Sequence, residues 1–426
     1  MSEKDLSIRV YELYKLLFFI FILNFLLFQN ALSTILGIPS FVDEIIQAIM
    51  LMLIGLSCFR NKNARFILKV YILLFFVFMA FSVEAFSHRG LSNVVQQIFV
   101  HLKYVVYLGF FSIFMDRVLL DKVVRFYFIA TLFFLVVNIL LPVEFTALLE
   151  QTLKTRFGIA RPIGIQGQTG NLGYTAGLYC IYFICQKSQQ KEIVKYLKAF
   201  LFFIIVTLTT VRTALIVFPL VLLWRFKQSF KLFSALLILG LILFFSIGTN
   251  KIADEVIAIT EQNFESMADD PSKTAYIRGM MIYFAFDLAN DRFPIGTGAS
   301  TFGTVKSDNS AIYTEIGMQD SRFFIEKEGI YDSNFASLLG EFGYIGALIY
   351  YIFFILICLK VSEFYGYRNT TEFKFVFFVF FTIYSVTGPV FMNTYQIVIF
   401  IIILLAAAHK KITRETPMQI DTVKVK

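Results

Sequence analysis

Charge is scarce in this chain. Asp, Glu, Lys and Arg make up 16% of its 426 residues, whereas a soluble domain carries about 25%. Histidine is scarcer still, and His88, His101 and His409 lie far apart. Four cysteines, at positions 58, 180, 185 and 358, sit singly in apolar runs. They read as small buried hydrophobes, without the close spacing of a metal set. No metal site and no cofactor are expected. No internal repeat is visible, although many transporters are built from two similar halves. The net charge of +8 needs no nucleic-acid partner, because the positions of the basic residues account for it as a topology signal.

What the chain has in excess is hydrocarbon. It holds 53 Phe, and 58% of its residues are hydrophobic. No soluble core absorbs that much apolar surface, so lipid must solvate it. A spanning helix needs about 20 apolar residues. Twelve runs approach that length: 11–29, 41–59, 66–83, 94–115, 124–142, 168–186, 195–210, 211–226, 231–248, 333–359, 373–388 and 390–408. The first has a basic flank but no small-residue cleavage site, so it reads as a retained helix. Most of the 38 Lys and Arg fall in loops 60–69, 117–125, 187–198, 225–231 and 360–374 and in the two termini. The positive-inside rule then places both termini in the cytoplasm. The expected organisation is helices one to nine over 1–248, with a small outer loop at 143–167. An acidic outer loop follows at 249–332, then helices ten to twelve over 333–408 and a cytoplasmic tail at 409–426. The expected fold is an all-α polytopic membrane protein whose polar material gathers on one face.

Four stretches carry chemistry. In "TRFGIARPIGIQGQTGNLGYTAGLY" (155–179) Arg156 and Arg161 precede a glycine series. The arginines read either as loop charges or as anion ligands, and Gly170, Gly173 and Gly177 suit tight helix packing as well as close approach to a ligand. In "TLTTVRTALIVFPL" (207–220) Arg212 lies between apolar runs. There it either snorkels or faces an anion in a wet cavity. In "SKTAYIRGMMIYFAFDLANDRFPIGTGASTF" (272–302) the apolar spacing predicts an amphipathic helix lying on the membrane, with Arg278 on it and a glycine turn after it. Arg292 and Arg322 are weaker candidates in the same loop. In "GIYDSNFASLLGEFGYIG" (329–346) Asp332 or Ser333 caps a helix, or Asp332 acts as a base toward a sugar hydroxyl. Asn334 follows directly, and Glu341 enters hydrocarbon. Lys103, close to His101 inside another run, either counters a buried acid such as Glu341 or faces a polar cavity.

Together, "RPIGIQGQTGNLGYTAG", "TTVRTAL", "YIRGMMIYFAFDLANDRFPIGTGASTFG" and "YDSNFASLLGEFGYIG" resemble the corresponding parts of bacterial O-antigen polymerases of the Wzy type, in the superfamily that also contains the O-antigen ligases. The resemblance spans roughly 155–346. It implies a GT-C-like helical scaffold and metal-independent inverting transfer from undecaprenyl-pyrophosphate-linked oligosaccharides at the periplasmic face of the inner membrane. The product it implies is O-antigen or a capsule polysaccharide. On this reading Asp332, Arg212 and Arg278 are the catalytic candidates and Arg156, Arg161, Arg292, Arg322, Asn334 and Glu341 the substrate-binding ones, with Lys103 added to the latter for its place inside an apolar run. It also implies membrane lipids, a chain-length regulator and a flippase as partners. One departure stands out: ligases typically carry histidine where this chain has Asp332. The alternatives are a ligase moving finished glycan to lipid A core, and a flippase for lipid-linked sugars.

Overall fold

The computed structural model describes residues 3–39, 41–156, 159–185, 192–209, 276–327, 329–364 and 371–407, with a few isolated positions between 211 and 265. In chain order the helices are α1 Glu3–Leu27, α2 Gln29–Leu36, α3 Val42–Ser57, α4 Lys62–Phe81, α5 Ala85–Arg89, α6 Leu91–His101, α7 Lys103–Phe114, α8 Arg117–Leu140 and α9 Pro142–Leu148. A two-residue pairing follows, β1 Thr155–Arg156 with β2 Ile159–Ala160, antiparallel. Then come α10 Thr169–Cys185, α11 Glu192–Thr209, α12 Ile277–Asp291, α13 Ile312–Glu315, α14 Arg322–Ile325, α15 Asn334–Phe364, α16 Thr371–Thr387 and α17 Thr394–Ala407.

Among the described residues, three helices are long and apolar enough to cross a membrane: Lys62–Phe81, Val118–Leu140 and Asn334–Val361. The pair α6 and α7 adds a fourth, bent by 46°. Shorter apolar helices run over Leu13–Leu27, Phe378–Thr387 and Thr394–Ala407. The protein is a helical membrane protein. Phe21, Phe76, Phe126 and Phe133 stand exposed on outer helix faces, a placement that water would penalise and acyl chains do not.

Two helices form the centre. Residues Tyr104 to Phe111 of α7 and Ile397 to Ala406 of α17 are buried without a break. A helix apolar all round has no face to give to solvent and so takes the interior. Aromatic rings lock these helices to their neighbours. Phe391, on the turn before α17, meets Tyr350 at 4.8 Å, Phe354 at 4.9 Å and Phe381 at 4.7 Å, all three edge to face. Such contacts add about 0.5–1.5 kcal/mol per pair beyond burial. They tie the 388–393 turn to α15 and α16.

The structure amends several expected spans. Run 94–115 breaks at Leu102 into α6 and α7. The loop at 66 begins four residues earlier as helix, because the Asn61 side chain accepts the Asn63 and Ala64 amides. The helix that opens at Asn334 contains a break at Gly343, with φ 63° and ψ −171°. Runs 211–226 and 231–248 lie outside the described residues. The expected surface helix is corrected in position. α12 has 15 residues, but its apolar side does not rest on lipid. Met280, Met281, Phe284 and Leu288 join Phe302, Tyr313, Met318 and Leu339 in a buried cluster between the large loop and α15. Protein covers this face because Phe302 and Tyr313, more than ten residues further along, fold back over it.

At Gly343 the φ of +63° suits glycine alone, and an added Cβ would stand 2.5 Å from the Pro294 carbonyl oxygen and 2.8 Å from the Gly296 nitrogen. Backbone strain of this kind costs on the order of 1–3 kcal/mol before the clash is counted. Gly343→Ala should therefore lower the melting temperature in detergent. Gly170→Ala, whose Cβ meets nothing within 4 Å, should not. Equal melting of the two variants would show that the break carries no strain.

Candidate functional site

The large loop is pinned by one carboxylate. Glu341 is 0% exposed on α15. Its Oε1 accepts from the Thr301 amide at 3.1 Å and from the Thr304 hydroxyl at 3.0 Å, with the Phe302 amide at 3.5 Å. Its Oε2 lies 2.8 Å from His101 Nε2 on α6. The glycine turn after α12 thus wraps this acid. Its backbone is held further by Thr297 N donating to Gly340 O at 3.0 Å and Gly298 N to Glu341 O at 2.6 Å. Glycines at 296 and 298 permit that approach, since a Cβ at Gly296 would be 2.5 Å from the Gly343 nitrogen. Tyr313 closes the loop: its hydroxyl takes the Gly303 amide at 2.8 Å and meets Ser307 at 2.8 Å. Burial pushes that phenol up to about 12.

Arg292 ends α12 and is committed to structure. It bonds Glu84 at 2.6 Å and Glu315 at 2.8 Å, and the Glu315 bond holds its pKa above the usual value. The guanidinium joins the short segment after α4 to the large loop. Lys103 does counter a buried acid. Its partner is not Glu341, which His101 takes, but Asp43 at 2.6 Å, with Glu44 at 3.4 Å and Thr394 at 3.1 Å. Thr394 also bonds Asp43. These groups border a cavity of about 320 Å³, in keeping with the alternative that Lys103 faces a polar space.

The remaining predicted residues collect around the turn between α16 and α17. Asn334 donates its backbone N–H to Gly388 O at 3.3 Å, and its Oδ1 accepts the Phe391 amide at 2.7 Å. Two residues earlier Asp332 pairs with Arg278 at 3.2 Å, both side chains being 41% exposed. Ser333, not Asp332, caps α15, its Oγ accepting the Ala336 amide at 3.1 Å. Arg278 lies close enough to act electrostatically on Tyr384 of α16. The Tyr384 ring stands 4.8 Å from Tyr174 of α10. On the far side of α10, Gly173 fits against Thr209 and Val211 with no room for a Cβ, which settles that glycine as a packing residue. Arg161 Nε donates to Thr209 O at 2.9 Å, and Thr213 meets Thr387 at 2.8 Å. Arg278, Asp332 and Asn334 therefore stand together at the mouth of α15, while Arg161 bonds the end of α11.

Arg212 and the side chains of Arg156 and Arg322 lie outside the described residues, although Arg156 has its backbone place opposite Ile159. Three buried donors of the patch and its floor have no partner within the described residues: the Tyr174 and Tyr384 hydroxyls and Asn334 Nδ2. The tyrosines escaped the sequence reading because they sit at helical spacing within Phe-rich runs and look like core. Asp43 escaped it too, since an acid in the first turn of an apolar run reads as a helix-dipole residue.

These features define a helical membrane protein with a polar patch between a large loop and the ends of several buried helices. Residues 197–351 match the family described as O-antigen ligase, Wzy_C. The match covers under half of the chain and supports a likeness to the O-antigen ligase and polymerase superfamily. The matched stretch contains α12, Arg278, Asp332, Asn334 and Glu341. No curated protein matches the chain.

An Ala at position 341 would strand the Thr301 amide, the Thr304 hydroxyl and His101, each worth about 1–3 kcal/mol when buried unpaired. Glu341→Ala should lose most folded protein on detergent size-exclusion chromatography. Arg292→Ala, which breaks half-exposed ion pairs worth about 0–1 kcal/mol each, should retain it. Equal yields would refute the central place given to Glu341.

Proposed function

We propose that the protein is an oligosaccharide repeat-unit polymerase. It moves a growing glycan from undecaprenyl pyrophosphate to the sugar of an incoming lipid-linked unit, at the periplasmic face of the bacterial inner membrane. In this reading about twelve spans form a GT-C-like scaffold with both termini cytoplasmic. The divisions are 1–248, 249–332, 333–408 and 409–426, and the small loop 143–167 joins the large one over the site. A chain-length regulator and a flippase of the same pathway are its partners.

The observation that carries this reading is the half-exposed Arg278–Asp332 pair, together with the Tyr384 and Asn334 donors that have no partner among the described residues. A guanidinium fork suits a pyrophosphate, and paired donors aimed at a departing oxygen act as an oxyanion site. Arg278 has a carboxylate partner at rest. A pyrophosphate arriving at Arg278 would displace Asp332 and free it as a base. The acceptor hydroxyl then attacks the anomeric carbon with inversion. Its proton passes to Asp332, the bond from the anomeric carbon to the phosphate oxygen breaks, and undecaprenyl pyrophosphate leaves on the arginines. Arg212, flanked by Val211 and Thr213, which touch the same neighbourhood, is assigned the same anion-binding task, as are Arg156 and Arg161. Arg322 is placed at the outer edge of this group.

The second reading is a ligase, favoured by the description of the matched family. Asp332, where ligases carry histidine, favours the polymerase. The two are separated by removing the protein from its host: loss of a polymerase leaves a single repeat on the acceptor, and loss of a ligase leaves none.

Arg212→Ala should abolish the polymer ladder while the protein still inserts. Arg278→Lys should cut polymer formation at least tenfold, because a point charge cannot replace the fork. Wild-type ladder length in both variants would refute the assignment.

A further inference from the structure

The 320 Å³ cavity is not part of the arginine patch, yet the two share a wall. The 388–395 turn bonds Asn334 through Gly388 and Phe391, and its next residues, Asn393 and Thr394, line the cavity. Asp43, Glu44 and Lys103 form one flank, Gln166 from the segment before α10 another, and Val305 from the large loop the rim. Segments from both ends of the chain and from both loops thus build it.

Its chemistry selects its ligand. The Lys103 ammonium is already satisfied by Asp43, Glu44 and Thr394. With Lys306 also in the lining, two carboxyl groups stand against two ammonium groups, so the cavity offers no net positive charge to gather a phosphate. Leu26, Leu27, Val100 and Met392 line it beside Gln97, Gln166, Asn393 and Thr394, a mixture that suits the apolar and hydroxylated faces of a sugar ring. Gln166 is 3% exposed, and its Oε1 has no hydrogen-bond partner. Nor has Glu44 Oε2. Buried acceptors without partners are costly unless a donor fills them. The volume stands at the lower end of the roughly 300–1,000 Å³ range of small-molecule sites. Hydroxyl donors on a compact ring meet every one of these demands.

We propose that this cavity binds an uncharged, polyhydroxylated sugar residue through Gln166, Glu44 and Asn393. On the transferase reading that residue belongs to the acceptor glycan, whose reactive hydroxyl is thereby presented across the 388–395 turn to the anomeric carbon held at the arginine patch. The carboxylates and amides read the acceptor hydroxyls, and the arginines read only the diphosphate. Acceptor selection and donor binding are therefore separable in one molecule.

The test uses the full chain in nanodiscs with two probes: the free repeat-unit glycan, cleaved from its lipid by mild acid, and inorganic pyrophosphate. Saturation-transfer NMR should show the glycan bound to wild type. Gln166→Leu should weaken it at least tenfold while leaving pyrophosphate binding unchanged. Arg278→Ala should do the reverse. Val305 is 62% exposed at the rim, so Val305→Trp blocks the mouth without disturbing the core and should also abolish glycan binding. Glycan binding that is absent in wild type, or unaltered by both Gln166→Leu and Val305→Trp, overturns the proposal whatever the transfer assay shows. A wild type that binds glycan with this pattern but forms no polymer and ligates nothing keeps the sugar site and removes the transferase reading.

Discussion

Everything at the polar end of this molecule depends on the buried Glu341 carboxylate being satisfied. It sits where hydrocarbon surrounds the rest of its helix, and an acid there is tolerable only with several donors at once. The Thr301 amide and the Thr304 hydroxyl come from the large loop, and His101 comes from a helix far earlier in the chain. One side chain thereby joins three parts of the protein. The glycine turn follows as a geometric necessity, since only a backbone without Cβ atoms can close so tightly around the helix at Gly340 to Gly343.

From that clasp the placement of the arginines follows. α12 is anchored at its end by Arg292 to Glu84 and Glu315, and along its length by Met280, Met281, Phe284 and Leu288. With both ends of the loop held, Arg278 is brought to Asp332 at the mouth of α15. The aromatic socket around Phe391 holds the opposite wall. The polar end thus rests on two supports, one built on the buried Glu341 and the other on edge-to-face rings.

Membrane character was legible from composition, because no arrangement of 53 Phe leaves a soluble surface. The start of α15 was legible from Ser333 and Asn334, and the isolation of Arg278 and Asp332 marked them out. Pairing was not legible. That Lys103 counters a buried acid was legible, but not which one: Glu341 was one example, whereas the fold gives Lys103 to Asp43 and Glu341 to His101, a choice set by which helices touch. The α12 stripe had the period of a membrane-surface helix. Nothing local in it reveals that Phe302 and Tyr313 return to cover the stripe. Arg292 looked like a ligand for the same reason, as both of its acidic partners are supplied by tertiary structure.

The span of the Glu341 clasp has a bearing on biogenesis. His101 and Glu341 are separated by 240 positions, so a nascent chain leaving the ribosome commits α6 to the bilayer long before its carboxylate partner is synthesised. Asp43 meets Lys103 early but waits for Thr394, 351 positions later. The translocon must therefore hold, or repeatedly release, an amino-terminal half carrying unsatisfied polar groups until the last helices arrive. Assembly of the polar end is in that sense a late act of synthesis, and a chain cut short before Thr394 would lack the hydroxyl that completes the Asp43–Lys103 group.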